Sequence, residues 1–158
     1  MKIKIYAIGK IKNFYQSGCD EYLKHISPYC NIEVIELKDE PIADKPHPSE
    51  ILKAINTEGD RVLKTVKENE YLIALDLNKK EYTSEEFATL LQEKFVEAGS
   101  NISFVIGGSY GLSEKLKNLC NFAFSLSKMT FLHQMTRLIL LEQIYRAFKI
   151  INNETYHK

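Results

Sequence analysis

The sequence has few cysteines, no excess of either charge and no long hydrophobic run, and each absence excludes a class of protein. Its three cysteines, an odd number without metal-ligand spacing, argue against a disulfide framework, so we predict free thiols and no bound metal. No apolar segment approaches the roughly 20 residues of a membrane span. The N-terminal segment MKIKIYAIGKIK has charges within its apolar run and no cleavage site of small residues, so it does not resemble a secretory signal. We therefore expect a cytoplasmic protein without a membrane partner.

The net charge is zero, which by itself does not favour a nucleic-acid partner. The charges are nevertheless unevenly distributed along the chain. Residues 1–106 carry 14 Lys/Arg and 18 Asp/Glu, whereas residues 107–158 carry 7 Lys/Arg and 3 Asp/Glu. This asymmetry is typical of a C-terminal third that contacts an anionic partner, although an imbalance of this size also arises by chance.

Apolar periodicity divides the chain into alternating strands and helices of a single domain. The predicted strands are 3–8, 32–37, 71–77, 102–108 and 122–126. The predicted helices are 13–26, about 49–66, about 84–98, 113–119 and about 132–151, with Ser49 as the expected cap of the second. Strands that alternate with helices predict an α/β fold, with a mostly parallel sheet covered by helices on both faces.

Two of the predicted strands end in segments that could bind a ligand at the carboxyl edge of the sheet. Residues 102–106 of the fourth predicted strand run into GGSYGLS, whose glycines lack the spacing G-x-G-x-x-G and are not followed by the Lys-Ser/Thr of a phosphate-binding loop. A ligand loop and a tight turn both fit this segment. Leu75 and Asp76 lie at the end of strand 71–77, where Asp76 could bind a ribose hydroxyl or simply end the strand.

A third candidate segment, FSLSKMTFLHQMTR, joins the last strand to the last helix. Its centre, residues 127–130, is a polar hinge without Gly or Pro. His133 and Arg137 follow one turn apart, and we expect both side chains to face the carboxyl edge of the sheet. A binding role and a structural role are both compatible with this pair.

The last predicted helix contains four consecutive apolar residues, Leu138, Ile139, Leu140 and Leu141, which cover every side of one turn. A helix that is apolar all round is buried all round. A terminal helix of a small domain usually has a solvent-facing side, so we predict that this helix forms the interface of a homodimer.

The polar segment NNETYHK follows this helix and would fray by default. Tyr156, His157 and Lys158 are nevertheless an aromatic residue, a titratable base and a cation, the types that stack on bases and hold phosphates. The residues alone leave both interpretations open.

Long segments of the chain resemble one family. FVIGGSYGLS, LSKMTFLHQMTRLILLEQIYRAFKI and the ending YHK closely resemble the ribosomal large-subunit methyltransferase H family, of the SPOUT class. MKIKIYAIGKIKNFY and DEYLKHISPY fit it too, so the resemblance covers essentially the whole chain. It implies one SPOUT domain over residues 1–158, a homodimer, and a C-terminal trefoil knot at about 102–151, which general folding rules would not predict.

The resemblance also implies an activity, the S-adenosylmethionine-dependent methylation of N3 of a pseudouridine in 23S ribosomal RNA. The substrate would be the large ribosomal subunit or the 70S ribosome. The implied cofactor-binding residues are Leu75, Gly107, Leu126, Ser127, Lys128, Met129, Thr130 and Phe131. Where the family is expected to have Pro, this chain has Leu132. A helix accepts Pro at its start because the N–H there is unpaired in any case. Leu132 restores that N–H and no longer fixes φ, so we expect a small shift of the helix start and intact cofactor binding.

Methylation of N3 requires the imide to lose its proton, which calls for a base or for a cation that stabilises the anionic ring. The candidate catalytic residues are His133, Arg137, Arg146, Tyr156, His157 and Lys158. The two histidines have side chains whose pKa suits proton transfer near neutral pH. The arginines and the lysine could stabilise the anion, and the tyrosine could stack on the base.

Two other functions remain open at this point. A non-catalytic dimer that binds RNA or a nucleotide would have the same charge asymmetry without needing a cofactor cleft. A SPOUT enzyme that methylates a tRNA ribose would share the fold, although the YHK ending and the absence of an additional RNA-binding domain argue against it.

Overall fold

The computed structural model of the protein describes residues 1–157, in which five strands alternate with five helices. The strands are β1 (Lys2–Ile8), β2 (Asn31–Leu37), β3 (Tyr71–Leu75), β4 (Asn101–Ile106) and β5 (Phe122–Phe124). The helices are α1 (Asn13–Ile26), α2 (Pro48–Thr65), α3 (Ser84–Glu97), α4 (Glu114–Leu119) and α5 (His133–Ile151). The predicted α/β alternation is therefore confirmed.

The five strands form one parallel sheet in the order β2-β1-β4-β3-β5. Helices α1, α3 and α5 cover one face over a core that includes Ile5, Phe104 and Ile144. Helices α2 and α4 cover the other face, where Val62 and Leu116 pack on the strands. Parallel strands have helices on both sides because the chain must cross back over the sheet between strands, and that expectation is met.

Three strands end two residues earlier than the sequence pattern predicts, and in each case the chain turns into a loop at the carboxyl edge of the sheet. β3 stops at Leu75 because the Asp76 carboxylate accepts the backbone N–H of Asn78 at 3.1 Å and closes a turn. β4 stops at Ile106, and the N–H of Gly111 donates to the carbonyl of Gly108 at 3.1 Å. Leu77 continues the apolar pattern past the end of β3, and Gly107 and Gly108 add no polar side chain past the end of β4, which explains why periodicity alone extended both strands.

Two helix starts also differ from the predictions. α2 begins at Pro48 rather than after Ser49, and the Glu50 side chain accepts the backbone N–H of His47 at 2.7 Å. α5 begins at His133, with Leu132 at the capping position and a φ of −56°. A proline ring would fix nearly the same φ, so Leu132 has the backbone angle that the expected proline would impose.

The surface of α5 corrects the interpretation of its apolar run. Leu140 and Leu141 are fully buried within the protomer, where α5 lies between α1 and α3. Leu138 packs on Gly18 of α1, while Ile139 stays partly exposed. The prediction that these four residues form one interface is therefore wrong for Leu140 and Leu141, because the protomer's own core accounts for them.

The outward side of α5 is a stripe of partly exposed residues, Met135, Ile139, Glu142 and Arg146, spaced three or four residues apart. Its first half is apolar and its second half is polar. We refer to these four residues as the outward stripe. All three cysteines are free, as predicted, and Cys19 and Cys30 are buried.

A polar network around the buried residues Tyr6 and Ser103 lies on the face of the sheet that α2 and α4 cover. The carboxylate of Glu70 accepts the hydroxyls of Tyr6 and Ser103, each at 2.8 Å, and pairs with the Lys4 ammonium. Burial opposes ionisation of Glu70, but the hydrogen bonds from these three side chains prevail and lower its pKa. Tyr6 is completely buried, and burial together with Glu70 raises its pKa.

Replacing Tyr6 with Phe should lower the free energy of unfolding by about 1.5–3 kcal/mol, the usual value of a hydrogen bond to a charged group. The aromatic packing is kept, so the loss reports the hydroxyl alone. Urea denaturation followed by circular dichroism measures the change. Tyr15→Phe is the matched control, because the Tyr15 hydroxyl has no hydrogen-bonding partner within residues 1–157. Equal stabilities of the two variants would contradict the prediction.

Candidate active site

A cleft of about 690 Å³ lies at the carboxyl edge of the sheet, where three loops meet. The loops follow β3, β4 and β5, and they contribute residues from 75–78, 106–112 and 125–133. The volume is within the range of roughly 300–1,000 Å³ that is typical of small-molecule sites. Open α/β sheets bind ligands at this edge, so the cleft is the candidate active site.

The cleft includes nearly all of the residues that the family resemblance assigns to cofactor binding. Those that line it are Leu75, Gly107, Leu126, Ser127, Met129, Thr130 and Phe131. Lys128 differs, because its side chain is exposed and not part of the lining. Its backbone N–H donates instead to the Glu81 carboxylate at 3.0 Å, which fixes the loop from outside.

Serine side chains form the polar hinge after β5. The Ser125 hydroxyl donates to the carbonyl of Ser127 at 2.8 Å, and the Ser127 hydroxyl accepts the N–H of Met129 at 3.0 Å. The N–H of Ser125 donates to the carbonyl of Lys80 at 2.9 Å, which joins this loop to the one after β3. Short hydroxyl side chains can replace Gly or Pro in a turn by bonding the local backbone, as they do here.

Gly107 has no room for a side chain. A Cβ built on it would lie 2.6 Å from the backbone carbon of Gly111 and 2.8 Å from its oxygen. Gly111 has a φ of +84°, in the left-handed region that favours glycine. The loop after β4 is thus folded tightly against itself, which leaves space in the cleft beside it.

The sequence analysis missed several polar and aromatic residues of the cleft. Lys117 of α4 lines it, and its ammonium lies 3.8 Å from the Asp76 carboxylate. The interaction with Glu114, followed by that with Asp76, raises the pKa of Lys117. Tyr110 stands half-exposed at the rim of the cleft. The sequence indicates a place for Tyr110 and Lys117 in the cleft only through their position shortly after β4.

His133 and Arg137 both reach the carboxyl edge of the sheet, but only His133 lines the cleft. Its Nδ1 atom is buried and has no hydrogen-bonding partner within the described residues. Burial lowers the pKa of His133, and the positive charge of Arg137 lowers it further. A neutral imidazole is therefore favoured near pH 7, and a neutral imidazole can accept a proton.

Arg137 is almost completely buried away from the cleft. Its guanidinium pairs with the Glu36 carboxylate, and its Nη2 donates to the carbonyl of Gly9 at 3.0 Å. These contacts tie α5 to the ends of β1 and β2. They favour the structural role that the sequence left open, because the charge is already paired and does not face the cleft.

The residues after α5 fold back along that helix within residues 1–157. Tyr156 packs against Tyr145 with 4.8 Å between ring centroids, and its hydroxyl donates to the Glu142 carboxylate at 3.2 Å. His157 bonds Glu85 at 2.7 Å and lies 3.3 Å from a guanidinium nitrogen of Arg146. The default expectation of a frayed tail is therefore wrong up to residue 157. The predicted role of Lys158 lies outside the described residues.

The tail and the cleft of one protomer are far apart. Glu142 and Arg146, which hold the tail, are nine and 13 residues beyond His133 along α5. At 1.5 Å per residue this separation is about 14–20 Å. One protomer therefore does not bring Tyr156, His157 and Arg146 together with His133.

Comparisons with known proteins show the family of the chain. A family model described as "Predicted SPOUT methyltransferase" matches residues 1–157, so the chain has the fold of the SPOUT methyltransferase class. The chain is 47% identical over 159 residues to "Ribosomal RNA large subunit methyltransferase H" from Acetivibrio thermocellus, and 49% identical to the protein of that name from Halothermothrix orenii. Both alignments cover 100% of each protein. The chain therefore belongs to the ribosomal RNA large subunit methyltransferase H family.

A solved structure shows the same fold at low sequence identity. The crystal structure of tRNA (m1G37) methyltransferase from Aquifex aeolicus matches with a TM-score of 0.52 and 13% identity, over 92% of this chain and 70% of that one. Within residues 1–157 no helix has the length and apolar character needed to cross a membrane. The same residues contain no group of three or more His, Cys, Asp or Glu side chains placed to hold a metal ion.

Proposed function

We propose that the protein transfers a methyl group from S-adenosylmethionine to N3 of a pseudouridine in large-subunit ribosomal RNA. The observation that carries the proposal is the cleft formed by the loops after β3, β4 and β5, in a chain that matches the family over its full length. The trefoil knot at about 102–151 stays a prediction from the resemblance, and the cytoplasmic location stays a prediction from the sequence composition.

The residues of the cleft fit this cofactor. Within the loop after β4, the lack of a side chain at Gly107 allows its close approach to the Gly111 backbone. The loop after β5 contributes apolar side chains from Leu126, Met129 and Phe131. These surfaces suit an adenine ring, which needs flat apolar contacts and a few backbone hydrogen bonds. When bound, S-adenosylmethionine supplies a methyl group activated by a sulfonium. The protein's task is then mainly to align donor and acceptor.

Proton removal from N3 falls to His133 or His157 in this proposal. His133 lies in the cleft with a lowered pKa, so it is neutral and able to accept a proton. His157 is bonded to Glu85 in its own protomer and would reach a cleft only in a partner chain. Arg146 and Lys158 remain the candidate cations, whereas the buried pairing of Arg137 argues against a direct role for it.

We further propose a homodimer through the outward stripe of α5. The tail covers the polar half of the stripe, at Glu142 and Arg146, and leaves Met135 and Ile139 for a partner. A dimer formed there would place each tail at the interface, beside the cleft of the other chain. Tyr156 would then stack on the target base, and Lys158 would contact a phosphate.

Ile139→Asp should convert a dimer into a folded monomer, because it places a charge in an apolar interface. Sedimentation at micromolar concentration and circular dichroism measure the two properties. Leu141→Asp should instead unfold the protein, since Leu141 is buried in the protomer's own core. Ile139→Val is the neutral control. A wild-type protein that sediments as a monomer would show the proposed interface to be wrong.

One experiment tests the proposed substrate. Ribosomal RNA from a strain that lacks the gene should lose one methylated pseudouridine, as detected by nuclease digestion and mass spectrometry, and the purified protein should restore it. Unchanged ribosomal RNA together with a lost tRNA ribose methylation would favour the other SPOUT activity. Failure to bind S-adenosylmethionine in calorimetry would favour the non-catalytic RNA- or nucleotide-binding dimer.

A further inference from the structure

A second cavity, of about 370 Å³, lies directly beside the cleft. The residues that line both spaces are Gly108, Ser109, Tyr110 and His133. The remaining wall comes from the end of β1, from the middle of α2 and from the segment after β2. That wall is acidic, with the carboxylates of Asp39, Glu40, Asp44 and Glu58. We refer to this space as the side cavity.

Glu58 is the buried member of this acidic wall, with only 6% of its surface exposed. Its Oε1 accepts the backbone N–H of Glu40 at 3.0 Å. Its Oε2 has no hydrogen-bonding partner within residues 1–157 and lies next to Gly108, where an added Cβ would come within 3.3 Å of it. Because Glu58 lines the side cavity, a donor or a cation that enters this cavity beside Gly108 can bond that oxygen.

No cation within residues 1–157 bonds this oxygen directly. Arg61 lies one turn along α2, but its guanidinium bonds the Glu40 carboxylate and the carbonyl of Lys38. Burial raises the pKa of Glu58, and the nearby charge of Asp39 adds to the increase. A positive charge beside Oε2 would oppose this increase, so the position of Glu58 between the side cavity and Gly108 suits a positively charged group that enters from the cleft.

S-adenosylmethionine carries such a group, the ammonium of its methionine part. Asp76 is the one acidic residue among the described residues that line the main cleft, and its carboxylate already lies near the ammonium of Lys117. The side cavity therefore offers the better anionic partner. We propose that Glu58 binds the cofactor's ammonium through Oε2, with the amino-acid part lying across Gly108 in the side cavity. This inference rests on the proposed function, because it needs the cofactor in the cleft.

The test pairs a change in the protein with a matching change in the ligand. The ligands are S-adenosylhomocysteine and its deaminated form, in which hydrogen replaces the ammonium, and calorimetry measures both affinities. Glu58→Gln should weaken S-adenosylhomocysteine about tenfold or more, as expected for a lost charge-assisted hydrogen bond, and should change the deaminated form less than about twofold. Asp60→Asn, on the exposed side of the same helix, is the control and should change neither affinity.

The outcomes separate the inference from the function on which it rests. Equal weakening of both ligands by Glu58→Gln, or no weakening, would overturn the role of Glu58. If that variant does not fold, the affinities of the wild-type protein still test the inference. Wild-type protein should bind S-adenosylhomocysteine about tenfold more tightly than the deaminated form, and a difference in affinity below about twofold would overturn the inference. Wild-type protein that binds neither ligand would instead refute the proposed function.

Discussion

Replacing Gly107 with Val should abolish detectable binding of S-adenosylmethionine while leaving a folded protein. Even the first carbon of a side chain would lie 2.6 Å from the Gly111 backbone, so the loop after β4 would have to move. The atoms that must yield are backbone atoms, which cannot rotate away as the end of a flexible side chain can. We expect a loss of affinity of at least about a hundredfold, equivalent to roughly 2.7 kcal/mol.

Calorimetry measures the affinity, and circular dichroism checks the fold, which should persist because β4 itself stays packed. Gly99→Ala is the matched control. Gly99 has a φ of +62°, so alanine is strained there, but no atom lies within 4 Å of the added carbon. It should lower stability slightly and leave cofactor affinity unchanged. Normal affinity in Gly107→Val would mean that the cofactor does not bind beside this loop.

Deleting Tyr156, His157 and Lys158 should abolish methylation of ribosomes while cofactor affinity stays near the wild-type value. The tail lies about 14–20 Å along α5 from the cleft of its own chain, so its loss leaves that cleft intact. Activity should fall at least about a hundredfold, because the tail would supply both the stacking residue and a candidate base to the partner's cleft. Radiolabelled methyl transfer and calorimetry measure the two quantities.

Glu85→Gln is the control for this deletion. It removes the charged partner of His157 in the same protomer but keeps the tail, and it should retain most of the activity. Full activity of the shortened protein would show that the tail is not needed.

A mixing experiment tests whether the tail acts on the partner chain. Tail-deleted protein supplies an intact cleft, and the Gly107→Val protein supplies an intact tail. Random re-association makes half of the dimers mixed, each with one complete site, so about a quarter of the wild-type activity should return. No recovery would indicate that each chain works alone.

The sequence predicted the order of elements because burial in an α/β protein leaves a strong periodic signal. It also placed the ends of three strands at one edge, and these ends form the cleft. Contacts between distant residues were not predictable in the same way. Arg137 and Glu36 are 101 residues apart, and no local spacing indicates that they pair. The same limit applies to Glu58, whose neighbours Glu40 and Gly108 belong to two other segments of the chain.

The apolar run in α5 shows a different limit. Periodicity reports that a side chain is buried, but it does not report which chain buries it. Leu140 and Leu141 are covered by α1 and α3 of the same protomer, although the pattern suggested a partner. Likewise, the polar tail was expected to fray, because contacts such as those of Tyr156 with Tyr145 and Glu142 arise only after the chain reverses direction.

The position of β4 between β1 and β3 governs how the chain can fold during its synthesis. Both neighbours leave the ribosome before β4 does, yet neither pairs with the other in the finished sheet. Until β4 emerges, β1 and β3 each present an open strand edge, the kind of surface that promotes aggregation. Parallel pairing between such distant segments is also slow. A nascent chain of about one hundred residues is therefore the species most in need of a chaperone, because it contains both edges but not the strand that joins them.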